Sequence, residues 1–210
     1  MIRVLIADDH AIVRSGLKQI IATTLDISAA GEATQGQEVI ERIRRDDFDL
    51  LLLDMTMPGV SGVDLIRRVR AEKSHLPVLV LSMHNEGQVV SRALRAGAAG
   101  YVTKDSEPEV LIAAIRKVAA GGRFIDPSLV DKVVFDAGGA DAPPHELLSD
   151  REFQVLQMLV CGKSVGDIGE ALNLSAKTIS THKMRLMQKL GVDNNADLVR
   201  YALRHGLITE

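Results

Sequence analysis

Asp8, Asp9 and Asp54 bring three carboxylates, Ser82 a hydroxyl and Lys104 an ammonium to a chain of 210 residues. Carboxylates drawn together repel one another unless a cation neutralises them, and hard oxygen donors of this kind suit Mg2+, which keeps open positions for phosphate oxygens. A lysine and a hydroxyl beside such a site would bind the remaining oxygens of a phosphoryl group. An ionised carboxylate is a weak nucleophile that needs positioning and charge neutralisation more than it needs a base. Taken singly, each residue is as well read as a cap, a turn former or a solvated lysine. Their joint placement argues for chemistry.

That placement follows from the elements around them. Short β-branched or leucine runs at residues 2–7, 27–31, 50–53, 77–81 and 99–102 read as buried strands. Between them lie helical spacings such as Val13/Leu17/Ile20/Ile21, Val39/Ile40/Ile43, Leu65/Ile66/Val69 and Leu111/Ala114/Ile115/Val118. Strands alternating with helices predict an α/β fold, a mostly parallel sheet covered on both faces. Asp8 and Asp9 follow the first strand, Asp54 ends the third, Ser82 ends the fourth and Lys104 follows the fifth. All five therefore meet at the carboxyl edge, where such sheets bind ligands.

After Gly121-Gly122 the alternation stops. Residues 123–146 read as a linker with a short helix: an apolar patch at 129–135 precedes Gly138, Gly139, Pro143 and Pro144. From residue 147 onward the pattern is helical, a small bundle of about four helices. Ser149 with Glu152 forms a capping box and Ser175 caps a later helix, while Gly162 and Gly191 sit where helices should stop. A helix at 165–172, a turn at 173–174 and a longer helix at 175–190 have the layout of a helix-turn-helix.

Between residues 173 and 192 stand Lys177, Lys183, Arg185 and Lys189 with no acid, although the whole chain carries a net charge of -3. Rotation at about 100° per residue from Ile179 places Leu186 and Leu190 on the near side, with Lys183, which must snorkel past the core or reach phosphate. Lys177, Ser180, Thr181, Met184, Arg185 and Gln188 fall on the far side. Such a face can enter a DNA major groove, with cations at phosphates or guanine edges and small side chains at the bases. Thr178 and Lys183 complete the candidate DNA-contacting set. The plainer alternative is a solvated helix face.

Composition, at 46% hydrophobic and 25% charged, excludes disordered and collagen-like classes. The lone Cys161 cannot form an internal disulfide, which fits a reducing compartment, and its place at the end of an apolar helix reads as a small buried residue. The apolar run at the N-terminus is too short for a signal peptide or membrane span, so a cytoplasmic protein is expected.

Asp8-Asp9, Asp54-Met55-Thr56-Met57-Pro58-Gly59, Leu81-Ser82 and Tyr101-Val102-Thr103-Lys104 resemble the receiver domain of bacterial two-component response regulators. The resemblance, over residues 1–122, implies a five-stranded, flavodoxin-like doubly wound sheet in the order 2-1-3-4-5. It implies that Asp54 takes a phosphoryl group from a phosphohistidine on a sensor kinase. Asp8, Asp9, Asp54 and the backbone carbonyl of Thr56 would hold Mg2+, and Lys104 would bind a phosphoryl oxygen. Ser82 would turn toward that group as Tyr101 moves inward. Thr56 and His84 would tune the rates, although His84 also reads as a solvated loop histidine.

Leu148-Ser149-Asp150-Arg151-Glu152-Phe153, Ser175-Ala176-Lys177-Thr178-Ile179 and Lys189-Leu190-Gly191-Val192 resemble the LuxR-type DNA-binding domain, over residues 147–210. Together with a receiver they resemble the NarL/FixJ family. That resemblance implies promoter DNA as a partner, a homodimer at least when phosphorylated, and RNA polymerase as a possible contact. The last helix, near residues 194–205, would make the dimer contact through a Leu198/Val199/Ala202/Leu203 stripe that the core also claims. His182 reads as packed and hydrogen-bonded. Two other readings compete: an aspartyl-nucleophile phosphohydrolase, which needs a second Asp where Thr56 stands, and a protein-interaction module that binds no DNA.

Overall fold

The computed structural model describes residues 1–130, 144–172 and 174–207. Residues 131–135 of the apolar patch, most of the expected linker and Asn173 of the expected turn lie outside them. The chain divides into two compact units, Met1–Gly139 and Ala140–Glu210.

In the first unit, strands and helices alternate in the order β1 (Ile2–Ala7), α1 (Ala11–Ala22), β2 (Ile27–Ala33), α2 (Gly36–Arg45), β3 (Leu50–Leu53) and α3 (Gly62–Glu72). They continue as β4 (Val78–Ser82), α4 (Gly87–Arg95), β5 (Gly100–Thr103), α5 (Pro108–Ala119) and β6 (Phe124–Ile125). All neighbouring strands pair parallel, in the order β2-β1-β3-β4-β5-β6. The expected order holds and gains a sixth strand at the β5 edge.

The four leucines of β3 show why the sheet is covered twice. Successive side chains of a strand point to opposite faces. Leu51 and Leu53 join a core with Val39 and Ile43 of α2, Leu65, Ile66 and Val69 of α3, and Val90 of α4. Leu50 and Leu52 join a second core with Leu17 and Ile21 of α1 and Leu111, Ile115 and Val118 of α5. Two apolar faces explain why the strands read as unbroken apolar runs rather than alternating ones. At Gly36, where α2 begins, a Cβ would lie 1.8 Å from the Val60 carbonyl oxygen, so only glycine lets α2 approach the loop that follows Asp54.

After α5 the chain continues to pack on the first unit. β6 pairs Gly100 with Phe124 and Tyr101 with Ile125, and a 3-10 turn at Pro127–Leu129 buries Leu129 completely in the first core. These residues open the stretch that reads as a linker in the sequence, yet they pack as part of this unit.

The second unit contains, among the described residues, a 3-10 turn at Pro144–Leu147 and four α-helices: α6 (Asp150–Val160), α7 (Val165–Ala171), α8 (Ala176–Leu190) and α9 (Asn195–Arg204). Ser149 accepts from the Glu152 backbone while the Glu152 side chain accepts from the Ser149 backbone, the expected capping box. Ser164 and Asp167 form a second one at α7. Ser175 caps α8, and Gly191 ends it in the left-handed region at φ 65. Gly169 lets α7 and α8 approach closely: a Cβ there would sit 2.8 Å from the Leu174 carbonyl oxygen. Phe153, Leu156, Ile168, Ile179, Leu186, Leu190, Leu198 and Ala202 are buried. Cys161, expected to be buried, is exposed, because it caps the end of α6 rather than continuing its apolar face.

Truncating a fully buried leucine removes transfer energy and leaves a cavity. Leu129→Ala therefore lowers the stability of the first unit by about 2–4 kcal/mol in chemical denaturation. A change below about 0.5 kcal/mol would show that residues 127–129 do not pack on the receiver.

Candidate phosphoacceptor pocket and nucleic-acid interface

The pocket is assembled by strand ends at the point where the sheet order reverses, between β1 and β3. Backbone bonds fix the loops: Asp8 N–H donates to Ala33 O at 3.1 Å, Asp54 N–H to Ala7 O at 2.8 Å and Lys104 N–H to Ser82 O at 2.9 Å. The Lys104 ammonium donates to Asp8 Oδ2 at 2.7 Å and lies 3.2 Å from Asp54 Oδ2. Asp8 and Asp54 are only 1% and 4% exposed, so this ion pair is largely shielded from water. The expected grouping of Asp8, Asp54 and Lys104 is present in the geometry.

Burial pushes the Asp54 carboxyl above its ordinary range; the Lys104 charge opposes the shift and the Asp8 charge adds to it. For Lys104, burial favours the neutral amine, but the bond to Asp8 and the charges of Asp54 and Asp8 together outweigh it, and its pKa rises. Carboxylate oxygens of Asp8, Asp9 and Asp54 and a ring nitrogen of His10 all lie within 4.8 Å of one another. Asp9 Oδ1 is buried and accepts no hydrogen bond, with His10 Nδ1 3.0 Å away. An orphaned carboxylate oxygen beside two buried carboxylates fits a hard divalent cation. The Thr56 backbone N–H acts on Asp54 in the opposite sense to burial, favouring its charged form.

Ser82 and Tyr101 are linked through one loop. Ser82 is fully buried and its hydroxyl accepts from the His84 N–H at 3.2 Å. Tyr101 is fully buried and its hydroxyl donates to the His84 carbonyl at 2.8 Å. Tyr101 therefore already stands in the inward position that the resemblance assigned to the activated state. His84, half-exposed, meets both residues through its backbone, while its ring lies 3.5 Å from Glu86.

Three residues that the sequence reading passed over also shape the pocket. His10 places Nδ1 3.3 Å from Asp8 Oδ1, and its backbone N–H donates to the same oxygen at 2.7 Å. Arg14, one turn into α1, donates to the Asp8 carbonyl at 2.8 Å and to Glu32 at 3.1 Å, holding the loop between β1 and α1. Asp126 is buried and binds the loop that carries Lys104. The pair Asp126-Pro127 is a turn-initiating signal that was legible in the sequence.

On α8, Lys177, Ser180, Met184, Arg185 and Gln188 are exposed, while Thr178, Thr181 and Lys183 are half-buried. Ile179, Leu186 and Leu190 hold the opposite side in the core. The Ser180 hydroxyl donates to the Ala176 carbonyl at 2.9 Å and the Thr181 hydroxyl to the Lys177 carbonyl at 3.0 Å, which leaves their oxygens free to accept. Lys183 lines a surface groove of 690 Å³ with Val165, Ser180, Met184, Met187 and Gln188, so its stem lies along apolar surface. His182 is packed, but its buried Nδ1 has no hydrogen-bond partner, which corrects the expectation of a bonded histidine. Burial pushes its pKa down against the charge of Glu152, with Arg185 and Arg151 adding to the fall. Glu152 itself is buried, and Lys189 pairs with it at 2.6 Å, which removes one cation of the basic cluster from the outer face. In α9, Leu198 and Ala202 belong to the core, and Leu203 is 45% exposed.

The raised Asp54 pKa has a sign that stability can test. A carboxyl that holds its proton more tightly when folded contributes stability that is complete below the unfolded value, 3.8, and is lost as pH rises through the folded value. Asp54→Asn, neutral throughout, therefore raises the unfolding midpoint at about pH 7 in metal-free buffer, and the gain shrinks as pH falls toward about 4. A gain that persists or grows in acid contradicts this.

Residues 4–116 match the family described as response regulator receiver domain, and residues 146–202 match bacterial regulatory proteins of the luxR family. The chain is 34% identical to the response regulator UvrY of Escherichia coli strain K12, over 99% of this chain and 96% of that protein. It is 33% identical to the response regulator GacA of Pseudomonas aeruginosa, over 99% of this chain and 98% of that one. Among solved structures it resembles the RcsB response regulator of Salmonella typhimurium, with a TM-score of 0.62 and 30% identity over 97% of this chain and 98% of that one. A structure of two RcsB dimers bound to two parallel DNAs matches with the same TM-score, 0.62. With both domains matched and relatives aligned from end to end, this chain belongs to the two-component response regulators of the NarL/FixJ family, DNA-binding transcription regulators that join a receiver to a LuxR-type helix-turn-helix domain.

Proposed function

We propose that Asp54 is the phosphoacceptor, and that its phosphorylation controls dimerisation and DNA binding by the second domain. The observation that carries the reading is the buried triad of Asp8, Asp54 and Lys104 at the mouth of the sheet. An Asp54 oxygen attacks the phosphorus of a phosphohistidine on a sensor kinase. An O–P bond forms, the P–N bond breaks and its electron pair stays with the histidine nitrogen. Asp54 needs no base, because it reacts as the carboxylate. Asp8, Asp9, Asp54 and the Thr56 carbonyl would hold Mg2+, which supplies charge neutralisation and a template for the phosphoryl oxygens. Lys104, already between Asp8 and Asp54, would bind one phosphoryl oxygen, and the Ser82 hydroxyl would leave the His84 N–H for another. Thr56 stands where a phosphohydrolase needs its second acid and has no carboxyl to protonate a leaving alcohol. Slow loss of phosphate from Asp54 itself, rather than turnover of a separate substrate, fits this pocket.

For the second domain, Lys177 and Arg185 would meet phosphates or guanine edges. Thr178, Ser180, Thr181, Met184 and Gln188 would face the bases, and Lys183 the backbone beside them. Exposed Leu203 with half-buried Val199 would extend a dimer contact along α9. Work on promoter DNA, within reach of RNA polymerase, would require the protein to be in the cytoplasm. Among the described residues no helix is long and apolar enough to cross a membrane.

Intact-mass analysis after exposure to Mg2+ and a small phosphoryl donor gives a single phosphate adduct on the native protein and none on Asp54→Ala. An unmodified native protein, or an adduct that survives the substitution, overturns the assignment. In fluorescence titrations with its own promoter, Arg185→Ala weakens binding by about 1–3 kcal/mol and relaxes sequence preference. Lys177→Ala instead weakens all DNA alike and lowers the salt slope by about 1.

A further inference from the structure

Asp126 is charged, only 4% exposed and outside the carboxylate cluster. Burial alone would raise its pKa, but hydrogen bonds from Ser106, Ser128 and Thr103 outweigh that, so the carboxyl falls below its ordinary range and remains an ionised acceptor. Its two oxygens face different parts of the chain. Oδ2 accepts from the Thr103 N–H at 3.4 Å and from the Ser106 hydroxyl, which also lies 2.8 Å from the Thr103 hydroxyl. Thr103 and Ser106 bracket Lys104. Oδ1 accepts from the Ser128 N–H at 3.0 Å and its hydroxyl at 2.6 Å, and the Asp126 carbonyl accepts from the Leu129 N–H at 2.9 Å. The Asp126 N–H donates to the carbonyl of Tyr101 at 2.9 Å.

We propose that Asp126 is a positioning residue: one carboxylate oxygen fixes the loop that aims Lys104, and the other clamps the chain as it leaves the receiver toward the DNA-binding domain. A movement of Lys104 toward a phosphoryl group is then transmitted through Thr103 and Ser106 to Ser128 and Leu129. The inference rests on Asp54 as phosphoacceptor. It adds a connection that does not run through Ser82 and Tyr101's side chain, because it leaves the pocket by the β5–α5 loop and reaches Ser128 and Leu129 within one side chain.

Two hydroxyl deletions separate the halves of the clamp, since each removes one donor to the same carboxylate. In full-length protein with saturating small phosphoryl donor, Ser106→Ala lowers the maximal phosphorylation rate about tenfold, with the half-saturating Mg2+ concentration unchanged. Ser128→Ala leaves that rate within about twofold, and Ser106→Thr restores it. Hydrogen exchange at the Ser128 and Leu129 amides changes on phosphorylation of the native chain and not in Ser106→Ala. Asp126→Asn, which keeps the shape and loses the charge, shows both losses. Rates unchanged in Ser106→Ala, equal losses in both serine variants, or native Ser128 and Leu129 amides indifferent to phosphorylation would each overturn the proposal. A native protein that takes no phosphate on Asp54 would instead remove the reading beneath it.

Discussion

The receiver depends on one electrostatic arrangement: two almost fully buried carboxylates, Asp8 and Asp54, share a single ammonium, Lys104. Burying charge is costly unless it is paired, and three aspartates with one lysine leave the pocket negative. Folding energy from two apolar cores holds that imbalance in place. On the proposed reading that excess charge has a chemical use: a divalent cation would relieve it, and an incoming phosphoryl group would rebuild it.

The residues proposed to move are packed around it. Ser82 and Tyr101 both hydrogen-bond the backbone of His84, one at its N–H and one at its carbonyl. A hydroxyl drawn from that loop toward the pocket frees a donor, and the loop and Tyr101 must find a new balance. On the other side, the same sheet edge carries β6, whose last pairing joins Tyr101 to Ile125 just before Asp126. Tyr101 of β5 packs in one core with Val90 and Ala93 of α4, and β5 also pairs with the strand that leads to Asp126, so the proposed switch has a path on either side of β5. Coupling of a few kcal/mol along such links is enough to shift a two-state equilibrium.

Much of this was legible in the residues themselves. Apolar runs doubly covered by helices mark a parallel sheet, and the strand ends deliver Asp8, Asp9, Asp54 and Lys104 to one edge because that edge follows from strand direction alone. Less legible were features set by tertiary context. β6 has only two residues and no periodicity, so nothing local separates it from a linker. Cys161 follows an apolar helical pattern, yet the cap residue turns off that face. Lys189 looks like a member of the basic cluster until Glu152, 37 positions away, is seen to pair with it. His182 shows the same limit: it reads as packed and hydrogen-bonded, but a buried Nδ1 without a partner depends on tertiary neighbours such as Glu152 and Arg151 on another helix.

The proposed switch requires communication between Asp54 and the exposed basic face of α8. The most direct test is the affinity of the full chain for its own promoter fragment, at fixed salt, before and after a phosphate is placed on Asp54. The account predicts a change of at least about tenfold, roughly 1.4 kcal/mol, that is absent from Asp54→Ala. Equal affinity of the phosphorylated and unphosphorylated protein would contradict it.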